Sequence, residues 1–171
     1  SLFAHQKLME INKINNLLEL FYQQYQKQNK ESIFLQSLKE PSKEYSWEDV
    51  YLNINKLSEE ISKHIKKGDR CLLVSENRPE WMISDLSIML SGGVTVPAYT
   101  TYSERDYEYI INDCTPTIII ISDKIQYNKI KNIIPKKNFI KKIIFFENIE
   151  NVDKELNLKI NNIFKKDDCN N

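Results

Sequence analysis

Apolar positions fall into two rhythms along this chain. Short runs, Cys71-Leu72-Leu73-Val74, Val94-Thr95-Val96, Thr117 to Ile121 and Ile143 to Phe146, are almost free of polar interruption. That suits strands covered on both faces rather than strands with one wet side. Between the runs the apolar residues recur every three or four positions, the period of a helix with one buried stripe. Ile11, Ile14, Leu18, Phe21 and Tyr25, with Leu17 beside them, predict a helix over residues 10–27. Trp47, Val50, Ile54, Leu57, Ile61 and Ile65 predict a second, with Ser46 and Asp49 as its capping box and Gly68 as its end. Ser32 to Leu38 and Lys43 to Ser46, joined by a polar link with Pro41, read as a short antiparallel hairpin.

The central unit runs from Gly68 to Tyr102. After the first apolar run the chain turns at Ser75-Glu76-Asn77-Arg78-Pro79, where Asn77 can cap the coming helix and Pro79 fits its first turn. Trp81 to Leu90 is apolar on most sides, with Ser84, Asp85 and Ser87 as a narrow polar strip, so this helix is wedged inside the protein. Gly92-Gly93 stops it, and Pro97 marks the end of the following strand. Ser103 and Asp106 cap a further helix whose buried edge is Tyr107, Ile110, Ile111 and Cys114, ended by Thr115-Pro116. Tyr127, Ile130, Ile133 and Ile134 line one more helix, stopped by Pro135, and Val152, Leu156, Ile160 and Ile163 keep a weak helical period near the end. Strands alternating with helices predict an open, mostly parallel α/β sheet with helices on both faces, plus the hairpin. The strand-helix-strand crossover is expected to be right-handed.

Composition narrows the function. With 171 residues the chain is the size of one domain, and its 24 basic and 24 acidic side chains balance, so there is no overall field to draw nucleic acid. No apolar run approaches the roughly 18 residues of a membrane span, and no signal peptide opens the chain; the reading is a soluble, cytoplasmic protein. Cys71, Cys114 and Cys169 have neither disulfide nor metal spacing. His5 and His64 lack nearby ligand partners. Three glycines, Gly68, Gly92 and Gly93, cannot supply a GxGxxG turn or a GxxxxGK[ST] phosphate cradle, and Ser75 lacks a nucleophile elbow. The chain starts with serine and ends in an Asn- and Lys-rich stretch, so a fragment is expected, with residues 1–9 and 161–171 poorly ordered.

Open α/β proteins place function at strand ends. That directs attention to Glu76, Asn77 and Arg78, to the loop Ala98 to Tyr102, and to Ser122 and Asp123. Glu76 and Arg78 are expected to pair with each other or with exposed groups of the next helix. Trp81 is expected to be a packing anchor. The loop with Tyr99, Thr100, Thr101 and Tyr102 could line a pocket or cover the sheet edge.

Gly68-Asp69-Arg70, Ser75 to Trp81, Gly92 to Tyr99, Tyr109 to Cys114 before an apolar strand, and the early Tyr45-Ser46-Trp47 resemble, in order and spacing, the N-terminal region of AMP-forming acyl-CoA synthetases. The likeness covers most of residues 10–150 and is closest to the long-chain fatty acid branch of the AMP-dependent synthetase/ligase superfamily. Thr100 departs from it, standing where such enzymes commonly carry proline.

The resemblance implies a Rossmann-like N-terminal subdomain, with residues 1–171 a partial N-terminal domain. It implies a parent enzyme that joins a fatty acid to coenzyme A with ATP and Mg²⁺, releasing AMP and pyrophosphate. The parts that stabilise charge at the phosphates lie downstream in the family. No catalytic, cofactor-binding or metal residue is therefore assigned here, and the fragment alone is expected to be inactive. Peripheral membrane association through a lipid substrate stays open, as does a homodimer through the first helix. The alternatives are a flavodoxin-like binding or receiver module, for which Glu76 and Asp123 are the only acids available, and a split-gene product that joins a separate C-terminal chain.

Overall fold

In the computed structural model, which describes residues 16–39, 42–147 and 157–159, a five-stranded parallel sheet is flanked by helices on both faces. The chain runs α1 (Leu17–Lys27), β1 (Ile33–Gln36), β2 (Glu44–Ser46), α2 (Trp47–Ser62), β3 (Arg70–Val74), α3 (Pro79–Leu90), β4 (Val94–Ala98), α4 (Glu104–Cys114), β5 (Ile118–Ile121), α5 (Lys124–Ile130), a 3-10 turn (Ile134–Lys136), β6 (Lys142–Phe145) and β7 (Asn157–Lys159). The strand order is β4-β3-β5-β6-β7, and β1 and β2 form a separate antiparallel pair. Among the described residues no helix is long and apolar enough to cross a membrane.

The unbroken apolar runs explain the two-faced burial. Successive residues of a strand point to opposite faces, so Cys71 and Leu73 join one core with Ile118, Ile120 and Ile144, while Leu72 and Val74 join another with Ile119, Ile121 and Ile143. The first core is covered by α1, α2 and α3, the second by α4 and α5. All four residues of β5 are fully buried.

Helix α3 is wedged between α2 and the sheet. Serines make this approach close: Ser87 Oγ donates to its own Ile83 carbonyl at 2.6 Å, and the Ser91 and Ser58 hydroxyls meet at 3.0 Å across to α2. The α2 capping box forms as expected at Ser46 and Asp49, and α4 repeats it at Ser103 and Asp106. Around α1 and the hairpin an aromatic stack closes the first core, with the Phe34 and Trp47 rings 3.9 Å apart and the Tyr25 and Tyr51 rings 4.4 Å apart.

Several boundaries differ from expectation. Asn77 is not the cap of α3; Arg78 takes that position with no side-chain hydrogen bond to the helix, and the helix starts at Pro79. Pro97 does not end β4 but sits inside it, paired with Leu73, because β4 is the edge strand and a proline costs least there. Helix α2 ends at Ser62 rather than at Gly68, whose φ of 85° instead serves the tight turn that lets its N–H reach the Gly92 carbonyl. Pro135 lies within the 3-10 turn, after α5 has closed at Ile130. Near the end, Asn157–Lys159 forms a strand beside β6, not part of a helix, since pairing along β6 outweighs a weak periodicity. Val152, Leu156, Ile160 and Ile163, like residues 1–9 and 161–171, lie outside the described residues.

Leu73 sits at 0% exposure in the interior strand β3. Leu73→Ala is expected to cost about 2–5 kcal/mol, from lost apolar transfer plus the cavity left behind. Ser103→Ala, which removes only a cap, should cost about 1 kcal/mol. Urea unfolding of the two variants checks the ranking.

Candidate functional site

The carboxyl ends of the parallel strands gather three of the predicted segments at one edge of the sheet. Ser75 to Arg78 follow β3, Tyr99 to Tyr102 follow β4, and Ser122 and Asp123 follow β5. Beside them Phe146 and Glu147 follow β6.

Arg78 is the hub. Its Nε donates to Glu80 Oε2 at 3.0 Å, and its Nη1 reaches Glu76 Oε1 at 3.5 Å and Glu147 Oε1 at 3.4 Å. The guanidinium also lies over the Phe146 ring, 5.3 Å from its centroid. The expected pairing of Glu76 with Arg78 is present, but the partner on the next helix is buried rather than exposed, since Glu80 is only 3% accessible. Glu80 Oε1 accepts a hydrogen bond from the Tyr45 hydroxyl at 3.0 Å, and Lys43 Nζ stands 3.8 Å away. One carboxylate thus ties the β1–β2 hairpin to the start of α3.

Electrostatics follow from this geometry. Burial alone would push the Glu80 carboxyl up; the Arg78 charge, with hydrogen bonds from its own backbone N–H, Arg78 and Tyr45, outweighs that and holds it below its ordinary value. Burial and the same carboxylate push the Tyr45 phenol up, so it stays a neutral donor. Burial pulls the Arg78 guanidinium down, but Glu80, Glu76 and Glu147 raise it overall.

The loop after β4 is tied from beneath. Tyr107 donates to the Tyr99 carbonyl at 3.0 Å, and Gln126 Nε2 and Lys129 Nζ both donate to the Thr100 carbonyl, at 3.1 and 2.8 Å. Tyr102 packs against the second core and its ring is 5.6 Å from Tyr107, while Tyr99 is 71% exposed. The backbone is fixed and one aromatic ring is presented outward. Trp81 packs against the first core, as an anchor does.

The remaining candidates are committed to structure. Asp123 caps α5 through the Gln126 N–H, at 2.9 Å, and Glu76 is engaged with Arg78. The acid cluster that a receiver module needs is therefore not assembled by these two residues. Among the described residues no three His, Cys, Asp or Glu side chains gather to hold a metal. The buried Cys71 thiol is pushed up to about 12 by burial first and by Asp69 second, which makes it inert. Ser122 Oγ is buried with no partner among the described residues. Glu80, Tyr45 and Glu147 are members of the network that sequence reasoning missed; the Arg78-x-Glu80 spacing across a helix start was the available signal.

Comparison with known proteins places this arrangement. A family model described as AMP-binding enzyme matches residues 21–168. The chain is 24% identical over 130 residues to a long-chain-fatty-acid–CoA ligase of Rattus norvegicus, covering 75% of this chain and 18% of that protein. It is 36% identical over 59 residues to a long-chain-fatty-acid–CoA ligase of Mycobacterium tuberculosis, covering 34% of this chain and 10% of that one. The chain therefore spans less than a fifth of the length of these relatives. Among solved structures, a mutant form of coronafacic acid ligase from Pectobacterium brasiliense superposes with a TM-score of 0.75 at 18% identity, covering 87% of this chain and 29% of that one. At that identity the likeness concerns the fold.

Removing the hub strands a buried carboxylate. Arg78→Met is expected to destabilise by about 3 kcal/mol. Because the Glu80 carboxyl is held below its ordinary 4.5, its contribution is present above that pH and is lost as pH falls through the lowered value. Glu80→Gln should flatten the acid side of the stability curve below pH 4.5; urea midpoints measured from pH 3 to 7, on the order of the carboxylate titration range, read it.

Proposed function

The chain belongs to the AMP-binding enzyme family, and on that premise we propose that it is a partial N-terminal domain, residues 1–171, of a long-chain fatty acid–CoA ligase. The whole protein would convert a fatty acid, ATP and coenzyme A into acyl-CoA, AMP and pyrophosphate. The observation that carries this reading is the family match across residues 21–168, with long-chain-fatty-acid–CoA ligases among the relatives. A receiver module has no comparable support.

The described residues do not fit a nucleotide. A phosphate cradle needs backbone N–H groups that glycine leaves open, together with a free cation. Gly68, Gly92 and Gly93 all lie where β3 and β4 begin, the edge opposite the one where open α/β sheets bind ligands. At the other edge Arg78 is already held by three carboxylates. Their part is to fix a rigid edge: the sheet sets the strand ends, the Arg78 cluster locks the β3 turn to the hairpin and to β6, and Tyr107, Gln126 and Lys129 hold the loop after β4.

Titration calorimetry of the 171-residue chain with ATP and a fatty acid is expected to show no saturable heat, whereas the whole polypeptide that carries it should form acyl-CoA from a fatty acid in an ATP-dependent assay. Saturable micromolar ATP binding by the chain alone would overturn its supporting role. Failure of the whole polypeptide to form any acyl-CoA would overturn the ligase reading.

A further inference from the structure

Arg70 opens β3, and alternation along the strand puts it on the same face as Leu72 and Val74, the face that α4 covers. Its guanidinium closes the end of that helix. Nε donates to the Cys114 carbonyl at 2.8 Å, Nη2 to the Thr115 hydroxyl at 2.8 Å and the Thr115 carbonyl at 3.4 Å, and Nη1 to the Gly68 carbonyl at 3.4 Å. Thr117 N–H seals the junction by donating to the Arg70 carbonyl at 2.9 Å. A helix leaves its last carbonyls without partners, and α4 has no basic residue in its own last turn. Arg70 supplies from the neighbouring strand the positive charge that a helix C-terminus favours.

The end that Arg70 closes is strained. Thr115 has a φ of 44°, the one positive value outside glycine among the described residues. Glycine is the common occupant at this point of a helix end, and a β-branched residue there crowds its own backbone. Such a conformation persists only where its surroundings hold it. Here the hold runs through the hydroxyl that glycine would lack. Tyr107 stands two turns back in the same helix, roughly 10 Å along the axis. It is fully buried, and its hydroxyl meets the Tyr99 carbonyl at 3.0 Å and Gln126 Oε1 at 2.7 Å. One hydroxyl proton serves these two acceptors, so the grip on Tyr99 depends on where α4 stands.

We propose that Arg70 is a positioning residue for the loop after β4. By closing the strained end of α4 where the strands begin, it sets the height of Tyr107 and with it the stance of Tyr99 where the strands finish. The lock also joins two segments that stand out in the sequence, Gly68-Asp69-Arg70 and Tyr109 to Cys114. Threonine at 115 is what couples them, since a glycine would let the helix close without the guanidinium. The bearing of this lock on acyl-CoA formation rests on the ligase reading above.

Amide hydrogen exchange in the 171-residue chain tests the lock at a distance. The Tyr102 N–H, which donates to the Tyr99 carbonyl at 3.0 Å, is expected to exchange about tenfold faster in Arg70→Met. Thr115→Gly added to Arg70→Met should return it to the original rate, because glycine closes the helix end unaided. Thr115→Val, which keeps the β-branch and removes only the hydroxyl, should quicken the same amide by a smaller factor and decides the matter if Arg70→Met does not fold. Ser46→Ala, which takes a cap from α2 on the other face of the sheet, should leave it unchanged. An unmoved Tyr102 amide in both Arg70→Met and Thr115→Val, equal quickening in Ser46→Ala, or no recovery in the double variant would each overturn the proposal. In the whole polypeptide, kcat for acyl-CoA formation should fall by up to about a hundredfold in Arg70→Met and recover in the double variant; an undiminished kcat would overturn the positioning role. Absence of acyl-CoA formation by the unaltered polypeptide would instead overturn the ligase reading, with the lock still judged by the exchange rates.

Discussion

A parallel sheet with no wet face is the constraint behind the whole arrangement. Its strands can be joined only by crossovers, the crossovers are helices, and helices on both sides seal the sheet from water. Side chains in the middle of β3 and β5 can then do nothing but pack. Chemistry and recognition are left to the two edges where strands begin and end. At the end where strands finish, charged side chains are cross-braced around Arg78, and at the end where they begin, backbone hydrogen bonds tie the incoming links together.

The cross-bracing depends on one buried carboxylate. Glu80 would be costly to bury alone, because a charge loses several kcal/mol of hydration in a protein interior. Arg78 two residues earlier offsets this, and Tyr45 uses the remaining oxygen. The result joins parts of the chain that are far apart in sequence: the hairpin, the β3 turn, the start of α3 and the end of β6. None of these is a reaction step, and all of them fix where the strand ends stand.

Most of the fold was legible because burial on two faces leaves an unbroken apolar run, and because capping boxes at Ser46 and Ser103 depend only on residues three apart. What was not legible depends on distant contacts. Asn77 is a good cap by composition, yet the helix starts at Pro79, which puts Arg78 in the cap position with its side chain turned to Glu80, Glu76 and Glu147 instead of to the helix. The weak period around Asn157–Lys159 lost to strand pairing with β6, which no local pattern announces. At the candidate site, Glu76 with Arg78 could be read from proximity in the chain, whereas Tyr45 and Glu147 could not, since they meet the cluster only after folding.

Pro97 has a consequence for how copies of this chain behave toward one another. It occupies the outermost strand of the sheet, where an unguarded row of amides would otherwise invite a neighbouring polypeptide to add a strand of its own. A ring nitrogen with no hydrogen interrupts that template. The sheet is thereby discouraged from spreading sideways into fibrils, a safeguard built from a single imino acid.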